Sequence, residues 1–151
     1  MKTLKKTTII RFFFLFSLIV LFSCNKDKYD DFENTEIIEN TYTGTVGDIS
    51  GDSDPDANYA GTNDSGTYSF AWVNSSSKAK VKFDITSSSA GDVQLILNDA
   101  KGKEVLNKTL TGSSDVDFYD GLSEEGDVGT WRVSFIFSNF NGGGSFEIDN
   151  N

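Results

Sequence analysis

The stretch Lys80-Val81-Lys82-Phe83-Asp84-Ile85-Thr86 decides the fold. Its apolar residues Val81, Phe83 and Ile85 alternate with charged or polar ones. Successive side chains of a strand point to opposite faces, so this spacing sets one face in a core and the other in water. The same period recurs on both sides. Tyr68, Phe70 and Trp72 are separated by Ser69 and Ala71, and Trp131, Val133, Phe135 and Phe137 by Arg132, Ser134 and the residues between. Trp72 and Trp131 fall in phase with apolar neighbours and are therefore expected in the core. Val93, Leu95 and Leu97 form a third set, and Ile96 on the opposite face marks that strand as more central. Val105 to Leu110, Val116 with Phe118, and Phe146 with Ile148 supply further short strands. Turn chemistry separates them: Asn98 to Gly102, with Gly102 available for a positive φ, then Gly121 to Gly129 and Asn139 to Gly144. Thr41 to Val46 reads as a first edge strand, followed by a long loop from Gly47 to Gly66. Past residue 40 no stretch sustains a helical period. About eight short strands with turns between them imply an all-β protein, a single antiparallel, jelly-roll-like β-sandwich over residues 41–151.

The segment before this region has another character. Lys2, Lys5, Lys6 and Arg11 precede an apolar run from Phe12 to Phe22 that only Ser17 interrupts. A basic start, a short apolar core and a small residue at position 23 are the parts of a secretory signal. The run is about half the roughly 20 residues of a membrane-spanning helix. Leu21-Phe22-Ser23-Cys24 then resembles a bacterial lipobox, with Phe22 bulkier than is usual there. That resemblance implies diacylglycerol on the Cys24 thiol, cleavage before it by signal peptidase II, and attachment to a membrane through acyl chains. One chain anchors marginally, and two or more anchor stably. Cys24 is the only cysteine, so no intramolecular disulfide is available.

Residues 24–40 are polar, charged and without an apolar period, which predicts a disordered, lipidated acidic tether. Its cluster Asp30, Asp31, Phe32 and Glu33 resembles the export signal of Bacteroidota lipoproteins. This implies the outer face of the outer membrane; a plain acidic spacer, and a domain facing the periplasm, is the alternative. The stretch from Tyr68 to Ile148 resembles the bacterial pre-peptidase C-terminal type of jelly-roll sandwich. The resemblance rests on the turn Asp99 to Lys103, the strand Gly129-Thr130-Trp131-Arg132-Val133, and the ending Gly142 to Ile148. It implies an accessory or binding module.

Composition narrows the chemistry. With the leader set aside, nine basic residues face 23 acidic ones. Phosphate recognition needs clustered Lys and Arg, so nucleic acid is excluded as a partner. The chain contains no histidine. Ser-His-Asp, Cys-His and His-ligated zinc hydrolase arrangements are thereby excluded. A small hydrolase built on two carboxylates needs neither histidine nor a thiol and is the catalytic alternative. The sharpest constellation is Asp48, Asp52, Asp54, Asp56 and Asn58. Oxygen ligands at alternate positions can converge on one Ca²⁺, which makes calcium the candidate cofactor. An EF-hand does not fit, because Ala57 stands where that loop needs glycine and Asn63 where it needs the bidentate acid. A solvated acidic loop with Asx-turns fits the same residues. Asp115, Asp117, Asp120, Glu124, Glu125 and Asp127 form a second acidic loop. Tyr119 reads as the exposed ring, and Lys78, Lys80 and Lys82 as a basic strip on a wet strand face. The expectation is a lipid-anchored, non-catalytic binding or accessory sandwich whose partner is an extracellular glycan or protein. A structural envelope lipoprotein is the competing expectation.

Overall fold

A computed structural model describes residues 35–50, 54–86, 88–113 and 115–151. Among these residues there is no helix. Eight strands form one antiparallel sheet: β1 (Ile37–Asn40), β2 (Thr45–Val46), β3 (Asp56–Asn74), β4 (Ala79–Ile85), β5 (Ala90–Asn98), β6 (Glu104–Thr111), β7 (Asp117–Leu122) and β8 (Gly129–Asn150). Pairing begins at Ile37, four residues before the boundary read from composition.

The sandwich arises because β3 and β8, the two longest strands, are paired along their length and both bend near the middle. Their outer portions share two different sets of neighbours. The second half of β3 and the first half of β8 run with β1, β5 and β6, giving a first layer ordered β1-β3-β8-β5-β6. The first half of β3 and the second half of β8 run with β2, β4 and β7, giving a second layer ordered β2-β3-β8-β4-β7. The bend is built into the backbone. The β3–β8 register shifts around Asp64, Asn63 has φ 59° and Gly66 φ 130°, and on β8 Asn139 has φ 48° and Gly142 φ 138°. Asn and Gly are the residues that enter this region most readily, and bulges bend the strand that carries them. The Asn139 N–H donates to Ser65 Oγ (2.8 Å), tying the two bends together.

Three expectations are corrected here. Thr41 to Val46 is not one edge strand: only Thr45–Val46 is strand, and one outer strand of the first layer is Ile37–Asn40, in the stretch read as tether. Residues 56–66 are strand rather than loop. Asp56 and Asn58 alternate with Ala57 and Tyr59, which are 7% and 3% exposed, and this half of β3 pairs with residues 141–147. Dense Asp, Asn and Gly hid a strand whose inward set is only Ala and Tyr. Asn139 to Gly144 likewise does not reverse the chain. It bends a continuous β8 and passes it from β5 to β4.

The core lies between the layers and is largely aromatic. Phe135 of the first layer stands 4.6 Å from Phe146 and 6.5 Å from Phe83 of the second, ring centre to ring centre. Phe70 stacks on Phe146 at 5.9 Å, and Tyr42 on Phe137 at 3.8 Å. Trp72 and Trp131 are both buried and meet edge to face, as their phase implied. The Trp131 indole N–H donates to the Asp127 carbonyl (2.8 Å), so its one polar atom is satisfied. The β5–β6 turn has Gly102 at φ +83°, as expected.

Asp99 opens that turn and is 4% exposed. Its carboxylate accepts the backbone N–H groups of Lys101, Lys103 and Asp127, each at 2.9 Å. It thereby holds the turn against the loop that leads into β8. These bonds, the one from Asp127 first, keep its carboxyl below the usual Asp range. A folded-state pKa below the unfolded value gives stability that is present above about pH 4 and lost as pH falls through the folded value. Asp99→Asn should therefore melt lower than the native chain at neutral pH, and the gap should close in acid. A gap that stays constant down to pH 2 would show that the charge is not what Asp99 contributes.

Candidate functional site

The outer face of the second layer gathers polar side chains in three rows set by strand register. In the first, Asn58 (β3), Ser145 (β8), Asp84 (β4) and Phe118 (β7) lie side by side. The second runs Asp56, Glu147, Lys82, Asp120 across the same four strands. The third runs Asp149, Lys80, Leu122. Directly opposed residues on neighbouring strands have Cβ atoms about 5 Å apart, so each row is a line of touching side chains. Between the rows the intervening residues Ala57, Tyr59, Val81, Phe83, Ile85, Phe146 and Ile148 turn inward and are buried. The face is thus the wet half of the alternation that builds the core.

A groove of about 520 Å³ runs over this face, lined by Asp54, Asp56, Asn58, Lys82, Asp84, Ser145, Glu147 and Asp149 among others. Side chains within it brace one another. Lys82 Nζ lies 3.0 Å from Glu147 Oε2, and this bond is the main cause of its raised pKa. Ser145 Oγ donates to Asp84 Oδ2 (2.6 Å), and Ser50 Oγ to Asp56 Oδ1 (2.6 Å). From below, the Tyr59 hydroxyl donates to the Asp84 carbonyl (2.6 Å). Burial of this tyrosine, then the Asp84 charge, pushes its pKa well above the ordinary value. The Asp149 carboxyl is also pushed up, by burial first and then by Glu147 and Asp54.

At the β7 rim of the face two exposed apolar side chains flank Asp120. Phe118 is 68% exposed and Leu122 47%. This corrects the reading of β7. Val116 and Phe118 face solvent, and Tyr119, read as the exposed ring, is partly buried against the core. Tyr119 faces inward, 6.1 Å from the Phe83 ring, with Lys108 Nζ 5.3 Å over its own ring. A strand of six residues with Asp at positions 117 and 120 gives no sequence signal of its phase.

The other residues read from sequence are distributed as follows. Asp54, Asp56 and Asn58 reach the face just described. Asp48 borders a separate groove with Ile37, Ile49 and Tyr68. Asp52, Cys24, Asp30, Asp31, Phe32 and Glu33 lie outside the described residues. Among the described residues no three Asp, Glu, His or Cys side chains come together as a metal-holding group. Of the lysine strip, Lys78 pairs with Glu125 (3.5 Å) and Lys82 with Glu147, on a strand that is interior rather than peripheral. Sequence reasoning missed Lys82, Asp84, Phe118, Asp120, Ser145, Glu147 and Asp149 as members of one site. Each is visible as a polar or out-of-phase position; the register that aligns them is not.

No protein-family model matches the chain, and none of the curated proteins does. Among solved structures it is similar to a family 29 carbohydrate-binding module complexed with mannohexaose, with TM-score 0.39 and 20% identity over 74% of this chain and 77% of that one. A second carbohydrate-binding module, of family 4, gives TM-score 0.37 and 8% identity over 69% and 73%. The enzymatically active domain of a bacteriophage tailspike protein gives TM-score 0.43 and 11% identity over 72% of this chain and 18% of that one. None of these likenesses assigns a ligand to this chain.

Proposed function

We propose that this protein is a lipid-anchored, non-catalytic binding module of the bacterial cell surface, held at Cys24 and taking up a glycan on the outer face of its second layer. The observation that carries the ligand is the set of three in-register rows. They line up carboxylates, an amide, a hydroxyl and an ammonium with an exposed phenyl ring at the end of one row. Sugars present hydroxyls that pair with such groups and an apolar ring face that stacks on an aromatic plate. The central groups stand on β8 and β4, each paired on both sides, which keeps them rigid, so little ordering is needed on binding. The anchor and the outward orientation rest on the lipobox at Cys24 and on the cluster Asp30, Asp31, Phe32 and Glu33.

Two experiments test the reading. Cys24→Ala should move the protein from the membrane pellet to the soluble fraction; retention in the pellet removes the lipid anchor. Phe118→Ala should weaken retardation in gels containing the preferred polysaccharide by roughly tenfold in affinity. Phe118 is exposed, so its loss leaves the core intact, and a variant that melts as the native chain but binds equally well would move the ligand off this face. A two-carboxylate hydrolase would use Asp149, whose carboxyl is pushed up, as its acid. Release of shorter oligosaccharides in the same assay, abolished by Asp149→Asn, would establish that alternative.

A further inference from the structure

We infer that the glycan taken up on this face is positively charged, an amino sugar polymer with free ammonium groups rather than a neutral or uronic-acid polysaccharide. The inference rests on the glycan reading above and adds the charge class of the ligand. The face carries Asp54, Asp56, Asp84, Asp120, Glu147 and Asp149 against two lysines, Lys80 and Lys82. Lys82 is already engaged by Glu147 at 3.0 Å on one side, and Asp120 is its neighbour in the second row on the other. A sheet face with this surplus repels a uronic acid and attracts a cation. Burial first, and then Glu147 and Asp54, raise the Asp149 carboxyl, and Lys82 and Lys80 offset only part of that rise.

A basic polypeptide offers the same sign of charge but fits the face less well. The strands beneath the centre of the rows, β8 and β4, are paired on both sides, so an extended peptide finds no backbone partner there. The ligand must be gripped by side chains alone. An amino sugar polymer brings a donor or acceptor at nearly every carbon, with ammonium groups at regular intervals. Its ring faces stack on Phe118, which is exposed at the end of the first row. An ammonium close to that ring gains a cation–π contribution as well.

The test uses the lipidated full chain in detergent, titrated calorimetrically at low salt and mildly acidic pH, where the sugar amine is protonated. Four probes are compared: the glucosamine hexamer, the N-acetylglucosamine hexamer, a galacturonic acid hexamer and hexalysine. The expected result is that the glucosamine hexamer binds at least about tenfold more tightly than each of the others, a preference that shrinks as salt screens the face. The double variant Asp56→Asn with Asp120→Asn, both exposed positions, halves the acidic surplus and should narrow the preference for the glucosamine hexamer over the N-acetylglucosamine hexamer, while melting as the native chain does. If the N-acetylated or the uronic hexamer binds as well as the glucosamine hexamer, the charge inference is wrong while the glycan reading stands. Equal binding of hexalysine shows that charge alone is read and overturns the amino sugar. If no sugar binds, the glycan reading fails and this inference with it.

Discussion

Replacing Phe135 by alanine is expected to destabilise the protein by about 3–5 kcal/mol, the range for truncating a fully buried aromatic side chain. The position explains the size. Phe135 is 1% exposed and sits where the two layers face each other. Its ring lies 4.6 Å from Phe146, 6.0 Å from Tyr59, 6.4 Å from Phe137 and 6.5 Å from Phe83. Those four come from three strands, β3, β4 and β8. β8 runs through both layers, so backbone pairing holds the sheet on either side of the cavity and prevents the walls from closing over it. Cavity cost rises when the surroundings cannot collapse. A domain of this size is stable by about 5–15 kcal/mol in total, so the variant should unfold at a much lower denaturant concentration. Chemical denaturation of the native and variant chains measures it. A loss under about 1 kcal/mol would mean that the layers do not meet at this ring. Phe118→Ala is the matching control: it removes the same side chain from a 68% exposed position and should change stability little.

The contrast between these two phenylalanines shows what the sequence made legible. Phe135 stands in a run of four apolar residues at period two, Trp131 to Phe137, and such a run permits only one phase. The strands with an alternating apolar set, the core around Trp72 and Trp131, and the positive φ of Gly102 were readable for the same reason: each is a local pattern. Phe118 has no such run. Its neighbours Asp117, Tyr119 and Asp120 leave either phase open, and the choice is made by pairing with β4, which sets Tyr119 opposite Phe83 and Phe118 opposite Asp84. The first half of β3 was hidden because its inward residues are Ala57 and Tyr59 amid Asp, Asn and Gly. What makes it a strand is the glycine-rich half of β8, some 80 residues away in sequence. The polar face of the second layer was illegible for a related reason. Each of its residues is a single polar position in an alternating strand, and only the register of β3, β8, β4 and β7 turns them into rows. Register is a tertiary property, fixed by which apolar face must be buried rather than by the polar residues it aligns.

Those glycines lead to the second large effect. Gly144→Ala is expected to cost about 3 kcal/mol, through overpacking together with a lost hydrogen bond. Gly144 points into the core from β8, with Tyr59 and Ile85 as its neighbours in register. A Cβ built there would run into the Asp84 carbonyl oxygen and stand 2.6 Å from the Tyr59 ring carbon that bears the hydroxyl. The ring cannot move aside freely, because it is 3% exposed and packs against Phe135, Phe137 and Phe140. The carbonyl cannot move either, since β4 is held on one side by β7 and on the other by β8. The missing side chain is what lets the Tyr59 hydroxyl reach the Asp84 carbonyl at 2.6 Å beneath the binding face. With a glycan on the face proposed above, stability and binding are coupled at this residue, and the variant should weaken glycan binding beyond what its unfolded fraction explains. A double-mutant cycle with Tyr59→Leu separates the two obstacles. Leucine removes the hydroxyl and the far edge of the ring, so the alanine should cost less in that background, by about 1 kcal/mol or more, while the clash with the carbonyl persists. Strict additivity of the two substitutions would show that Gly144 is not there to make room for Tyr59, and the link from core to binding face would be lost with it.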